Sequence, residues 1–208
     1  TSAVIKADPD NEDNKVAFIP NTGSAKIVLD KAISGDVEVK ARMRTNKDTK
    51  SNFALRVSGD KGDIAVLRLG CINNGTTKND KTVYDWESWV RIYAMLTPDS
   101  GDLNDFGDAK RMNPATLYRV SGGQYGASWK NIRMIIHTAS ETCDVYISGA
   151  EITDEMIQSK EGVDYCEGVP FYTAGEKTVT GITLQALYLY NNNENVYFDD
   201  LSVAESNG

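Results

Sequence analysis

Trp129-Lys130-Asn131-Ile132-Arg133-Met134-Ile135-Ile136-His137 is followed shortly by Cys143-Asp144-Val145-Tyr146-Ile147-Ser148-Gly149. In the first run Ile132, Met134 and Ile136 share one parity, and Asn131, Arg133, Ile135 and His137 share the other. In the second run Cys143, Val145 and Ile147 alternate with Asp144 and Tyr146. A repeat of two puts alternate side chains on opposite faces of a strand. Each run therefore has an apolar face to bury and a polar face to leave in water, which is the pattern of an antiparallel sheet covered on one side. Ser148-Gly149 is expected to supply the tight turn back, and the two runs are expected to lie side by side.

The same period continues outward in both directions. Val37, Val39, Ala41 and Met43 alternate with Glu38, Lys40, Arg42 and Arg44. Phe53, Leu55 and Val57 form another apolar parity, as do Val90, Ile92, Ala94 and Leu96. Residues 64–72 are apolar on both parities, as a more central strand would be. Gly, Asn and Asp clusters at 21–23, 59–62, 73–75 and 191–193 are expected to separate the runs. Residues 153–160 form the one short-helix candidate, in a loop, with Thr153 or Asp154 near its start. Two long connections, 98–128 and 161–178, complete the chain. Such a string of short strands is expected to fold as one all-β, antiparallel β-sandwich domain over residues 1–208.

Composition narrows the chemistry. The chain has 208 residues, 22 Lys+Arg against 30 Asp+Glu and a net charge of −8. With one His, His137, zinc sites built from two or three His cannot form. Cys71, Cys143 and Cys166 have no C-x-x-C spacing, although a Cys143–Cys166 bridge is open to them. No G-x-S-x-G elbow, G-x-G-x-x-G or G-x-x-x-x-G-K-[ST] loop is present. An acidic chain without a basic run is not expected to bind nucleic acid. No stretch approaches the ~20 apolar residues of a membrane span. The chain, opening on Thr1, reads as an excised or mature module.

Three segments carry a resemblance. They are residues 8–18 (Asp8-Pro9-Asp10 through Val16-Ala17-Phe18), the run from Trp129 to Gly149, and Asn195-Val196-Tyr197-Phe198-Asp199-Asp200-Leu201-Ser202-Val203. Together, in order over roughly residues 5 to 205, they resemble the concanavalin A-like (laminin G-like) jelly-roll modules of extracellular bacterial polysaccharide-degrading enzymes. The resemblance implies a jelly-roll sandwich whose last strand lies beside the N-terminal one. It also implies an extracellular module tethered to a catalytic domain. Its partner would be a plant cell-wall polysaccharide or oligosaccharide, with an acidic, pectin-like one among the candidates. Modules of this fold also serve as lyases and as structural or interaction domains of surface proteins, so both remain alternatives.

Four sites follow as expectations. The first is a sugar-binding sheet face built from outward Arg42, Arg44, Arg91, Tyr93, Asn131, Arg133 and His137, joined by Lys40, Tyr188 and Tyr190. Aromatic rings stack on sugar C–H surfaces, and planar Arg and Asn groups hydrogen-bond to hydroxyls and carboxylates. The second is a loop platform of Trp86, with Trp89, Trp129, Tyr84 and Tyr125 as further aromatics. The third is a structural calcium held by Asp199 and Asp200 with Asp8 and Asp10, because a hard cation takes several oxygens. The fourth is lyase chemistry with His137 as base beside Arg and Tyr. Against that last one, the residue before His137 is Ile136, where alginate-lyase-like sequences carry Gln, and the Y-x-K-x-G-x-Y element is absent; the E-x-D-x-E of related glucanases is missing too, so paired-carboxylate hydrolysis lacks its motif.

Overall fold

Alternating runs become strands wherever both parities find their solvent, and the computed structural model pairs them into two sheets. It describes residues 2–20, 22–45, 52–78, 81–92, 116–121, 129–149, 167–186 and 196–206. The strands are β1 (Val4–Asp8), β2 (Asn11–Ile19), β3 (Ser24–Ile33), β4 (Asp36–Thr45), β5 (Asn52–Ser58), β6 (Asp63–Lys78) and β7 (Lys81–Ile92). They continue as β8 (Thr116–Ser121), β9 (Lys130–His137), β10 (Thr142–Gly149), β11 (Val169–Pro170), β12 (Val179–Ala186) and β13 (Val196–Glu205). One sheet has seven strands in the order β1-β2-β13-β4-β9-β10-β11, and the other has six in the order β3-β12-β5-β6-β7-β8. All strand pairs are antiparallel, and an isolated parallel bridge joins Ser2 to Ser24. The chain is thus an all-β sandwich of jelly-roll type. The short-helix candidate at 153–160 lies outside the described residues.

The core is the sum of the inward parities. From the seven-stranded sheet come Val37, Val39, Ala41 and Met43 of β4, Ile132, Met134 and Ile136 of β9, Cys143 and Val145 of β10, and Val196 and Phe198 of β13. Leu55, Val57, Leu67, Ile182 and Leu184 meet them from the six-stranded sheet. Fully burying a side chain such as Phe198 or Leu55 contributes roughly 1.5–3 kcal/mol, so these residues, rather than the polar faces, hold the layers together. In β6, Ile64, Ala65, Val66 and Leu67 are all buried, as expected of a central strand. Cys143 is a free, buried cysteine, so the bridge to Cys166 is not made. Burial and the neighbouring Asp144 push its thiol up to about 12, which leaves it unreactive.

Two expected turns are corrected. β9 and β10 are joined by a turn at 138–141, and Gly149 pairs with Lys130 instead of turning the chain. Gly35 N–H donates to Thr138 Oγ1 at 2.8 Å, tying this turn to the start of β4. The cluster at 73–75 likewise lies inside β6, where Asn73, Asn74 and Gly75 pair with Trp86, Asp85 and Tyr84. Cross-strand pairing there overrides the turn preference of Asn and Gly. The clusters at 21–23 and 59–62 do separate strands.

β13 closes the seven-stranded sheet between β2 and β4, and the Asp199-Asp200 pair marks a break in its register. Asp199 pairs with Arg42 and the next registered pair is Ser202 with Lys40, so the chain carries an extra residue there. Asp200 absorbs it with φ +50°, a left-handed conformation in which Asp is several-fold enriched. The bulge resets parity: Val196 and Phe198 point inward before it, Leu201 and Val203 pack against the core after it.

Among the edge strands of the two sheets, β1, β11, β3 and β8, β1 and β3 expose Ile5 and Val28 by 71% and 68%. Elsewhere the sheets are joined at one end by the segment after β11. Phe171 N–H donates to Glu141 O at 2.9 Å, and Tyr172 N–H donates to Ile64 O at 2.7 Å. Glu176, 1% exposed, turns its carboxylate into the β5–β6 loop. There it accepts backbone N–H groups of Asp60, Lys61 and Gly62 at 2.9, 2.5 and 2.8 Å. A Cβ on Gly59 would lie 2.3 Å from Glu176 Oε2, so this approach requires glycine. Glu176→Ala leaves three partly buried donors without their acceptor and is expected to destabilise the domain by about 2 kcal/mol in chemical denaturation. Substitution of exposed Glu12 is expected to change stability by less than about 0.5 kcal/mol.

Candidate functional site

The outer face of the seven-stranded sheet collects most of the predicted site residues that the structure describes. Lys40 pairs with Arg133 and Arg42 with Asn131 across β4 and β9, while Arg133 pairs with Tyr146 across β9 and β10. Lys40, Arg133 and Tyr146 thus form one straight row over three strands. Asn131 and Arg133 are exposed and Tyr146 is half-buried. The Arg133 guanidinium sits 5.3 Å from the centre of the Tyr146 ring. Tyr146 Oη donates to Glu167 at 3.3 Å. Burial first, then the charges of Asp144 and Glu167, raise the Tyr146 phenol above its ordinary value, so it stays neutral.

Arg91 and Trp86 belong to β7 of the other sheet, opposite Arg68 and Asn73. The face that carries Asn131 and Arg133 therefore does not include them. Tyr93, Tyr188, Tyr190 and Tyr125 lie outside the described residues. Periodicity assigned these residues a face, but it could not assign them a sheet.

A second cluster forms where the β1–β2 turn meets β4 and β13. Asp8 is 5% exposed. Its carboxylate accepts Asp10 N–H at 2.9 Å, Asn14 Nδ2 at 3.3 Å and the Trp129 indole Nε1 at 3.3 Å. Burial alone would raise the Asp8 carboxyl, but these hydrogen bonds and the Arg44 charge hold it below the usual carboxylate range. Asn14 Nδ2 also donates to Asp199 at 2.9 Å. Arg44 is buried against Asp10, with its Nε lacking a hydrogen-bond partner among the described residues. Arg42 lies 3.7 Å from Asp199 and 3.4 Å from Asp200. The Trp129 ring has the Arg42 guanidinium 4.7 Å from its centre and that of Arg44 at 5.9 Å.

Two of the candidate residues are engaged within the protein, Trp129 as the framework residue that its place at a strand start suggests. Arg44 points to the outer face but is not an open ligand contact. Trp129 is a hub for two guanidinium groups and an acceptor carboxylate rather than an open platform. The donor set does not fit calcium either. A hard cation needs oxygens free to converge on it, whereas Asp8, Asp10 and Asp199 are already turned toward Asn14, Trp129, Arg42 and Arg44. Among the described residues no group of three or more His, Cys, Asp or Glu side chains is placed to hold a metal ion.

His137 sits between two carboxylates, with Nδ1 3.0 Å from Asp36 and Nε2 2.9 Å from Asp144. Asp144 also accepts Gly168 N–H at 2.7 Å. Both ring nitrogens are taken, so the imidazole has none to offer a substrate proton. Burial lowers its pKa, but the hydrogen bonds to Asp144 and Asp36 and their charges outweigh this and raise it. The side chain ties β9 to β4 and β10. Sequence reasoning missed Asp36, Asp144, Asn14 and Glu38 as partners, because strand pairing and the turns between strands bring them together.

No family model matches the chain, and no curated protein sequence does. Among solved structures, the chain is similar to the binding domain of botulinum neurotoxin serotype G, with TM-score 0.41 and 12% identity over 99% of this chain and 44% of that one. It spans less than half the length of that domain. Lectin I-B4 from Griffonia simplicifolia is similar at TM-score 0.44 and 8% identity, over 98% of this chain and 91% of the lectin. Alginate lyase from Alteromonas sp. 272 is similar at 0.45 and 13%, over 97% of this chain and 93% of the lyase. Likenesses this distant carry no argument about what the chain binds. The class is defined by the chain's own sheets: an antiparallel jelly-roll sandwich with a polar outer face.

Two outcomes are expected. A His whose pKa is raised on folding stabilises fully below its unfolded value, about 6.5, and loses that contribution as pH rises through the folded value. The difference in melting temperature between the parent and His137→Gln is therefore largest below about pH 6.5 and shrinks as pH rises above it. Calcium or a chelator is expected to shift the melting temperature by less than about 1 °C; a calcium-dependent rise of several degrees would restore the metal site.

Proposed function

We propose that the chain is a non-catalytic carbohydrate-binding module whose ligand lies across the outer face of the seven-stranded sheet. The observation that carries this reading is the row Lys40–Arg133–Tyr146 with Asn131 beside it. Adjacent strands are about 4.8 Å apart, so the row extends about 10 Å. It rests on a rigid floor, since Val39, Ile132, Met134 and Val145 beneath it are all buried. Tyr146 offers ring surface for sugar C–H groups, while Arg133, Lys40 and Asn131 offer hydrogen bonds to hydroxyl and carboxylate oxygens. The ligand class is a plant cell-wall polysaccharide, with acidic, pectin-like chains favoured by the two cations. In this reading the module works outside the cell beside a catalytic domain. The occupied nitrogens of His137 disfavour the lyase alternative.

Affinity electrophoresis and calorimetry with polygalacturonate, xylan and a β-glucan test the proposal. Binding to at least one is expected. Arg133→Ala and Tyr146→Ala are each expected to weaken it by about tenfold or more, with melting little changed. No binding to any of the glycans would sink the idea, and release of unsaturated sugars from polygalacturonate would reinstate the lyase.

A further inference from the structure

Within the row, one carboxylate is held by two cations. Glu38 on β4 pairs through Oε1 with Arg133 Nε at 2.5 Å and through Oε2 with Lys40 Nζ at 2.5 Å. The two cations come from different strands, and both are about half exposed, with side-chain exposures of 45% for Arg133 and 51% for Lys40. The hydrogen bond from Lys40, then that from Arg133, holds the Glu38 carboxyl below its ordinary value, so it is ionised at neutral pH. On the β13 side the registered neighbours are Ser202 beside Lys40 and Ala204 beside Glu38, both small and exposed. On the β10 side stands Tyr146, against the same guanidinium. The face thus has a carboxylate-sized position between two cations, flanked by an aromatic ring and opened by small residues, and a side chain of the protein already fills it.

We infer that Glu38 is an internal stand-in for a ligand carboxylate, and that a uronic acid unit of an acidic glycan binds at Lys40 and Arg133 by displacing it. The inference rests on the carbohydrate-binding reading above and adds the residue that sets the preference between acidic and neutral chains. Exposed ion pairs are individually weak. A uronate that brings stacking on Tyr146 as well as its charge can therefore replace Glu38, while an isolated carboxylate cannot. Glu38 acts as a specificity filter: it raises the threshold for acidic ligands and leaves neutral ones untouched. It makes no contact with the ligand when the site is filled.

The test is calorimetry of the parent chain and Glu38→Gln against oligogalacturonate and a neutral xylo-oligosaccharide at one ionic strength. Glu38→Thr, a residue with strand preference, serves as a second variant should Gln disturb the fold. Glu38→Gln is expected to bind oligogalacturonate about tenfold more tightly than the parent, with neutral affinity unchanged. Unchanged or weaker binding of oligogalacturonate, or an equal gain for the neutral sugar, overturns the inference. A parent chain that binds only the neutral sugar, with Glu38→Gln behaving alike, overturns the inference and leaves the carbohydrate reading standing. If neither form binds either sugar, the inference falls, and the carbohydrate reading falls with it when the β-glucan is not bound either.

Discussion

Each outward residue of the seven-stranded sheet takes its position from the burial of the residue next to it. Met134 is fully buried, and Arg133 is therefore in water. Val39 is fully buried, and Glu38 and Lys40 therefore flank it on the other side. Because the strand period is two, a slip of one residue would exchange every buried group of a strand for a polar one. The hydrophobic term is large enough to forbid that, so the register that aligns Lys40, Arg133 and Tyr146 is fixed by the core beneath them. Where β13 changes parity, at Asp200, it does so through a bulge. Functional geometry on this face is a by-product of packing on the opposite one.

The charged groups follow a second rule, which acts at the ends of the strands. Asp8, Asp10 and Asp199 would repel one another where the β1–β2 turn meets β13. Arg42, Arg44 and Asn14 are placed among them, and Trp129 supplies an indole donor and a ring for the guanidinium groups. At the other end His137 lies between Asp36 and Asp144. Glu176 instead uses backbone N–H groups, with no cation paired to it among the described residues. Acidity in this chain is therefore arranged in local pairings, and the net charge of −8 says little about the sheet face.

The sandwich was legible in the alternation of residues 37–43, 131–137 and 143–146, since apolar parity is a local property of a strand. The central place of β6 was legible from apolar residues on both its parities. The turns were less so. Ser148-Gly149 and Asn73–Gly75 resemble turns residue by residue, yet each lies within a ladder whose partners sit elsewhere in the chain. The site was legible only in part, for the same reason. Arg133 and Asn131 were recognised as outward, but sequence could not separate them from Arg91, which is on the other sheet. Nor could it see that Asp10 would bury Arg44, or that Asp36 and Asp144 would occupy both nitrogens of His137. The Asp36 contact joins residues about a hundred positions apart, that of Asp10 with Arg44 spans 34 and that of Asp144 with His137 spans 7, and local periodicity encodes none of them.

The open edges have a consequence for how copies of the molecule behave together. β1 and β3 present unpaired backbone groups beside Ile5 and Val28, an arrangement that invites a strand from another molecule. Lys6 on β1 and Lys26 and Lys31 on β3 stand along those same edges. A second copy docking edge to edge brings its own lysines against them. That repulsion reaches only about 8–10 Å at moderate ionic strength and less as salt is added. The fold rests on burial and is indifferent to such screening, whereas colloidal stability at the edges depends on it. Crowding and salt therefore act on different layers of the same molecule: the interior holds while the rim decides whether neighbours stay apart.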